Sequence, residues 1–248
     1  MKYRMIPFQT FNAYMNMALD EAIMEAVRNG SSLPTIRFYG WTPSAVSIGI
    51  FQGMRNEVNL EQARDLGVDV VRRMTGGGAV YHDEFGEVTY SLIAPLDCFP
   101  ANIVASYEEI CQGIILALKS LDIQANFQPV NDILVNEQKI SGNAQTRRNG
   151  ILLQHGTILY QVDVETMFAL LNVSEEKISD KLIKSVKKRV TSVSDQLDTP
   201  MLTLQKALEV GFSLGKEIVV GTYSPAEMIR AKELAEGKFS SEAWNFKL

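Results

Sequence analysis

A fold that interleaves helices and strands is predicted by three features of the 248-residue chain. Apolar residues recur at helical spacing in two well-separated stretches, 18–27 and 107–118. Short runs rich in β-branched and aromatic residues lie around them. The stretch Arg72-Arg73-Met74-Thr75-Gly76-Gly77-Gly78-Ala79-Val80-Tyr81-His82-Asp83 is flanked by two such runs, Val68-Asp69-Val70-Val71 and Val88-Thr89-Tyr90-Ser91-Leu92-Ile93, which hold it as a loop between sheet elements. One large domain or two small ones fit this length, and 46% apolar composition is ample for a core.

In chain order, Tyr3 to Ile6 reads as a first strand, and Ala18, Leu19, Ala22, Ile23, Ala26 and Val27 as a core helix that Asn29-Gly30 ends. Residues 35–39 and 45–49 read as two strands joined by a Gly-Trp-Thr-Pro turn, with Trp41 as a turn plug rather than a ligand wall. Asn59 caps a helix to about Leu66, and Gly67 stops it before the strand that enters the glycine loop. Residues 95–100 form a connection. Tyr107, Ile110, Cys111, Ile114, Ile115 and Leu118 mark an amphipathic helix with Cys111 on its apolar face. Asn131-Asp132 opens a strand, and Asn136-Glu137 reads as a hairpin turn that brings Asp132 and Lys139 to one edge of the sheet. Residues 151–160 read as a strand interrupted by His155-Gly156. Lys177, Lys181, Lys184 and Lys188 share a helix face, solvated in the plain reading and a docking face for an acidic partner in the sharper one. Thr199-Pro200 opens one late helix, and the capping box Ser224-Pro225-Ala226-Glu227 opens another.

Three consecutive glycines are a poor choice for regular structure, because each costs conformational entropy on folding. They suit a backbone that something approaches closely. Two arginines beside exposed N–H groups suit an anion. The loop is neither a Rossmann fingerprint, lacking G-x-G-x-x-G before a helix, nor a Walker loop, lacking Gly-Lys-Ser/Thr. A formal charge of −5 argues against general nucleic-acid binding. No run of about eighteen apolar residues and no signal-peptide core occur, so a cytoplasmic protein without a membrane segment is expected. Cys98 and Cys111 read as reduced thiols, and two histidines, His82 and His155, are too few for a visible zinc site.

The glycine stretch, Asn131-Asp132, Lys139-Ile140-Ser141-Gly142-Asn143-Ala144 and His155-Gly156-Thr157, in this order and spacing, resemble the lipoate–protein ligase family, especially its short archaeal-type members. The resemblance covers nearly the whole chain. It implies an α+β fold, a mixed sheet backed by helices, shared by biotin and lipoate ligases. It implies one catalytic domain over residues 1–248, without the C-terminal accessory domain of longer bacterial relatives. The implied reaction joins lipoate to magnesium-ATP as lipoyl-adenylate, then passes the lipoyl group to a lysine of a lipoyl-carrier protein, either a 2-oxoacid dehydrogenase acyltransferase domain or the glycine-cleavage H protein. A separate small accessory subunit is expected to replace the missing domain.

By the same resemblance, Arg73, Gly76, Gly77, Gly78, Ala79, Val80, Tyr81 and His82 are expected around the nucleotide, with Asn131, Asp132, Gly142, Ala144, His155 and Gly156 completing the substrate site. Lys139 is the expected catalytic residue, a fixed cation at the acyl carbonyl and α-phosphate. Asp132 is expected on the magnesium side or orienting the amine. The main rival is an octanoyl or lipoyl transferase of this fold, which works through a cysteine thioester without ATP. In one transferase branch that cysteine lies just before the Asp of the second motif, where residues 126–131 here hold none. A non-catalytic lipoate-binding module would be expected to lose Lys139 or the arginines, and both are kept.

Overall fold

The computed structural model describes residues 1–172 and 188–248. In chain order the elements are β1 (Lys2–Phe11), α1 (Ala13–Arg28), β2 (Thr35–Trp41), β3 (Ala45–Ile48), the single turn α2 (Met54–Glu57), α3 (Leu60–Asp65), β4 (Asp69–Arg72), β5 (Val80–His82) and β6 (Glu87–Pro95). There follow α4 (Ile103–Lys119), β7 (Asn126–Gln128), β8 (Asp132–Val135), β9 (Gln138–Arg148), β10 (Ile151–Leu159) and α5 (Val164–Leu170). Beyond residue 187 come α6 (Val193–Gln196), α7 (Met201–Ser213), β11 (Glu217–Val220), α8 (Pro225–Leu234) and α9 (Glu242–Asn245). Of the basic stretch from Glu175 onwards only Lys188 and Arg189 are among the described residues, so the predicted lysine face lies outside them.

Eight strands form one mixed sheet in the order β11-β1-β2-β6-β10-β9-β8-β7, with β1 parallel to both its neighbours and the other pairs antiparallel. Helices cover both faces: α4 and α7 bury Ile110, Cys111, Ile114, Leu204 and Leu208 on one side, and α1 buries Met17, Leu19 and Ile23 on the other. This is the α+β architecture. Among the described residues no helix is long and apolar enough to cross a membrane.

Two local features place the site. Strand residues alternate faces, so Val88, Tyr90 and Leu92 of β6 join the α4 core, while Glu87, Thr89 and Ser91 point the other way and are buried. The register of β6 with β10 sets Ser91 opposite His155 and Thr89 opposite Thr157, which builds a buried polar row. The second feature is where the chain goes after the short connection from β2 to β3. Those strands do not pair, because β3 leaves the large sheet for a three-stranded one of order β4-β3-β5. The short strand β5, absent from the sequence reading, closes the glycine loop from behind.

Candidate active site

The glycine loop, residues 73–79, joins β4 to β5. Gly77 takes φ +96°, a left-handed conformation costly for any residue with a Cβ. The two arginines before it divide their tasks, and neither presents the free fork expected of an anion clamp. Arg72 is fully buried and donates to the carbonyls of Gly49, Ile50, Gln52, Trp244 and Asn245, which ties the loop base to the C-terminal helices. Arg73 lies beneath the loop. Its Nη2 donates to the carbonyls of Gly76 (2.8 Å) and Gly78 (2.7 Å). Its Nη1 donates to Ser47 O and Oγ, and its Nε to Thr75 Oγ1. All five guanidinium N–H groups therefore have protein acceptors. Burial pushes the Arg73 pKa down to about 10, which leaves the group charged at neutral pH.

The second and third motifs form a hairpin beside this loop. Asn136 (φ +48°) and Glu137 (φ +65°) make the two-residue turn between β8 and β9. Asp132 then faces Gly142, and Lys139 Nζ meets Asp132 Oδ1 at 2.7 Å. A Cβ on Gly142 would stand 2.8 Å from Lys139 Cε and Nζ, so the missing side chain is what lets the lysine arm fold back. The Lys139 backbone is pinned on its outer side, its N–H donating to Arg189 O and its carbonyl accepting from Thr191 N. Asn131 is a tie between strands: its carbonyl accepts from both the backbone N–H and Nδ2 of Asn143, and its own Nδ2 donates to Asn143 O. Tyr90 Oη fixes Asn143 from the other side.

Between loop and hairpin lies a cavity of about 380 Å³. Met17, Val80, Leu159, Val162, Met167 and Leu171 give it an apolar wall, and Lys139 stands among the residues that line it. Gly77, Gly78, Ala79, Tyr81, His82, Asn131, Gly142, Ala144, His155 and Gly156 also face it. Gly76 does not; its carbonyl is held by Arg73. The group that approaches the Gly156 backbone most closely is the Asn143 side chain, with which a Cβ would collide. Trp41 corrects the turn-plug reading. It ends β2 rather than plugging a turn, stacks on His82 at 4.0 Å, donates from Nε1 to Glu87 and Thr89, and lines the cavity.

Both histidines are buried in relays that the sequence did not disclose. Asp20 is held by Arg37 (2.9 Å) and Ser91 (2.9 Å) and faces His155 Nδ1 at 3.2 Å, while His155 Nε2 meets Thr75 Oγ1 at 2.7 Å. Glu87 faces His82 Nδ1 at 2.8 Å, and His82 Nε2 meets Ser47 Oγ at 2.8 Å. The nitrogen against each carboxylate carries the proton, and the other accepts from the hydroxyl. A signal existed: Asp20 and Arg37 each interrupt an apolar row, at positions where an unpaired charge is excluded. Burial lowers the His155 pKa against the pull of Asp20, so the imidazole is neutral at pH 7. The unfolded chain then takes the proton first, and folding stability from this group is present above about pH 6.5 and lost as pH falls below it. Urea midpoints should therefore drop more between pH 7 and 5.5 for the parent protein than for His155→Gln. Equal slopes would show that burial does not perturb this group.

Neither cysteine reaches the cavity. Cys111 is buried on α4, where burial pushes its thiol up to about 12, and Cys98 sits beyond β6 beside Asp97, its pKa raised by burial and by that carboxylate. Asp132, expected near magnesium, is paired with Lys139, and among the described residues no group of three or more His, Cys, Asp or Glu is placed to hold a metal.

Comparison with known proteins bears on these features. The model of the lipoyl protein ligase A/B catalytic domain matches residues 12–213. Octanoyltransferase LipM of Brevibacillus brevis is 32% identical, over 99% of both chains, and that of Geobacillus kaustophilus 35% identical over 94% of this chain and 93% of its own. Among solved structures, a bi-partite lipoate protein ligase of Thermoplasma acidophilum, studied with its E2 lipoyl domain, superposes with a TM-score of 0.90 at 33% identity, covering 99% of this chain and 96% of its own. A lipoate-protein ligase A bound with ATP superposes with a TM-score of 0.85 at 30% identity, covering 99% of each chain.

The full-length relationship to octanoyltransferases overturns the expectation of an ATP-dependent ligase, and with it the expected lipoyl-adenylate, ATP and magnesium. What ligases and transferases share is the scaffold: the chain belongs to the lipoyl protein ligase A/B catalytic domain family.

Proposed function

We propose that the chain transfers an octanoyl-class acyl group from a carrier thioester to the ε-amine of a lysine on a lipoyl-carrier protein, without ATP. The observation that carries this reading is the 32–35% identity to octanoyltransferases over nearly the whole of both chains. The cavity agrees with it, since a saturated acyl chain needs an apolar slot ending at a polar group. The acyl carbonyl lies against the Lys139 ammonium, which stabilises the oxyanion as the acceptor amine attacks. The C–N bond forms, the C–S bond breaks, and the donor leaves as a thiolate that takes up a proton. Asp132 orients the incoming amine and accepts its proton. Neither cysteine is placed for the thioester intermediate of the rival mechanism described above, so the amine attacks the donor thioester directly.

The test is to incubate the purified protein with an octanoylated acyl-carrier protein and a lipoyl domain, without nucleotide, and weigh the lipoyl domain by mass spectrometry. An octanoyl adduct on its lysine is expected. An adduct that forms only from free acid and ATP, never from the thioester, overturns the reading. The variant Cys98→Ser/Cys111→Ala should transfer at a rate within about twofold of the parent, because a thiol with a raised pKa is a poor nucleophile. An acyl adduct on either cysteine, with transfer lost in the folded variant, would restore the thioester route.

A further inference from the structure

We propose that His82 and His155 are positioning residues that act through Arg73: two carboxylate–imidazole–hydroxyl relays, Glu87–His82–Ser47 and Asp20–His155–Thr75, hold one guanidinium, which holds the glycine loop against the acyl cavity. The inference rests on the acyl-transfer reading for its activity readout only.

Arg73 is 5% exposed, and none of its acceptors is a carboxylate. A buried cation without a counter-charge is costly, so its compensation must lie further out. It lies at the far end of both relays. Ser47 Oγ accepts from Arg73 Nη1 (3.2 Å) and Thr75 Oγ1 from Arg73 Nε (3.2 Å), and each hydroxyl gives its own proton to an imidazole whose other nitrogen faces Glu87 or Asp20. Arg37 and Arg73 are thus balanced by Asp20 and Glu87, with the two imidazole rings between them. Hydrogen bonds in such a chain polarise one another. Arg73 Nη2 carries the Gly76 and Gly78 carbonyls, so the relays, whose rings also line the cavity, fix the loop's shape through the guanidinium.

The same atoms could be mistaken for two nucleophilic triads. Ser47 and Thr75 are 1% and 0% exposed, and each oxygen already accepts from Arg73 while donating to its histidine. Ser47 borders the cavity and Thr75 does not line it, and the hydroxyls of both are engaged in these bonds. Trp41, stacked on His82, and Ser91, bonded to Asp20, steady the relays from outside.

A mutant cycle separates action through Arg73 from contact with substrate. His82→Phe and His155→Phe break the relays while filling the ring volume, and His82→Gln and His155→Gln keep an amide where the hydroxyl is bound. In the Arg73 background each Phe change should lower kcat/KM for octanoyl transfer by about ten- to a hundredfold, the scale of a loop misplaced by about an ångström, with the Gln changes recovering most of it. In the Arg73→Lys background the same four changes should cost less than about twofold. Losses that multiply undiminished in both backgrounds would mean that the histidines meet the substrate themselves, and the proposal would fall. Hydrogen exchange of the 74–79 amides, which needs no turnover, should quicken in the Phe variants to the rate of Arg73→Lys. Unchanged exchange would overturn the proposal even where transfer is lost, and quickened exchange in a protein with no octanoyl transfer would support the relays while refuting the reaction. If the Phe variants do not fold, the Gln variants carry the same comparison.

Discussion

Lys139→Ala should slow acyl transfer by about a hundred- to a thousandfold, equivalent to ~2.7–4 kcal/mol of transition-state stabilisation, the usual cost of losing one preorganised oxyanion partner. It should leave stability almost untouched. The Lys139 side chain is 41% exposed and Asp132 32%, and an ion pair open to that degree contributes about 0–1 kcal/mol. No packing is lost either, since the arm lies over Gly142. The combination is diagnostic: single-turnover transfer followed by mass spectrometry should collapse while the urea midpoint stays within error. Transfer at the parental rate from the folded variant would remove Lys139 from the mechanism. Lys139→Arg should recover only part of the loss, because the longer planar fork cannot fold back to Asp132 over Gly142 as the ammonium does.

The sequence disclosed most where local chemistry decides structure. Asn59 caps α3 through its side chain, Ser224 and Glu227 close a capping box on α8, and Asn136-Glu137 makes the turn that brings Lys139 to Asp132. It disclosed least where partners come from afar. Arg72 and Arg73 are neighbours in sequence, yet one is gripped by the carbonyls of Trp244 and Asn245 and the other reaches back to the carbonyl and hydroxyl of Ser47. Nothing within a few residues of either announces this. β5 escaped notice because three residues carry no period, and its pairing with β3 is a tertiary choice. The reaction was misjudged for a related reason. In the reaction proposed above, the glycine loop, the Asp132–Lys139 hairpin and His155-Gly156 hold an acyl group and present it to an amine, a task common to ligases and transferases. How the acyl carbon was activated beforehand leaves little imprint on those residues.

The buried polar layer sets the other large effect. Asp20→Ala should lower stability by about 3–5 kcal/mol, the range found when one partner of a buried ion pair is removed. Asp20 is 1% exposed and Arg37 0%, so water cannot take over the lost contacts. The substitution strips Arg37 Nη1, His155 Nδ1 and the Ser91 hydroxyl of an acceptor at once. Arg37 keeps Asn16 and lies 3.9 Å over the Tyr39 ring, contacts that orient its charge without neutralising it. Against a usual total of about 5–15 kcal/mol, such a loss brings a domain near its unfolding threshold. The cause can be isolated with Asp20→Leu/Arg37→Met, which removes both charges and refills the space, and which should recover most of the stability because paired removal leaves no orphaned ion. Urea midpoints for the parent, single and double variants decide it. A single variant within about 1 kcal/mol of the parent would mean that solvent or a rearranged partner reaches Arg37. A double variant no better than the single would place the cost in the His155 and Ser91 hydrogen bonds rather than in the charge.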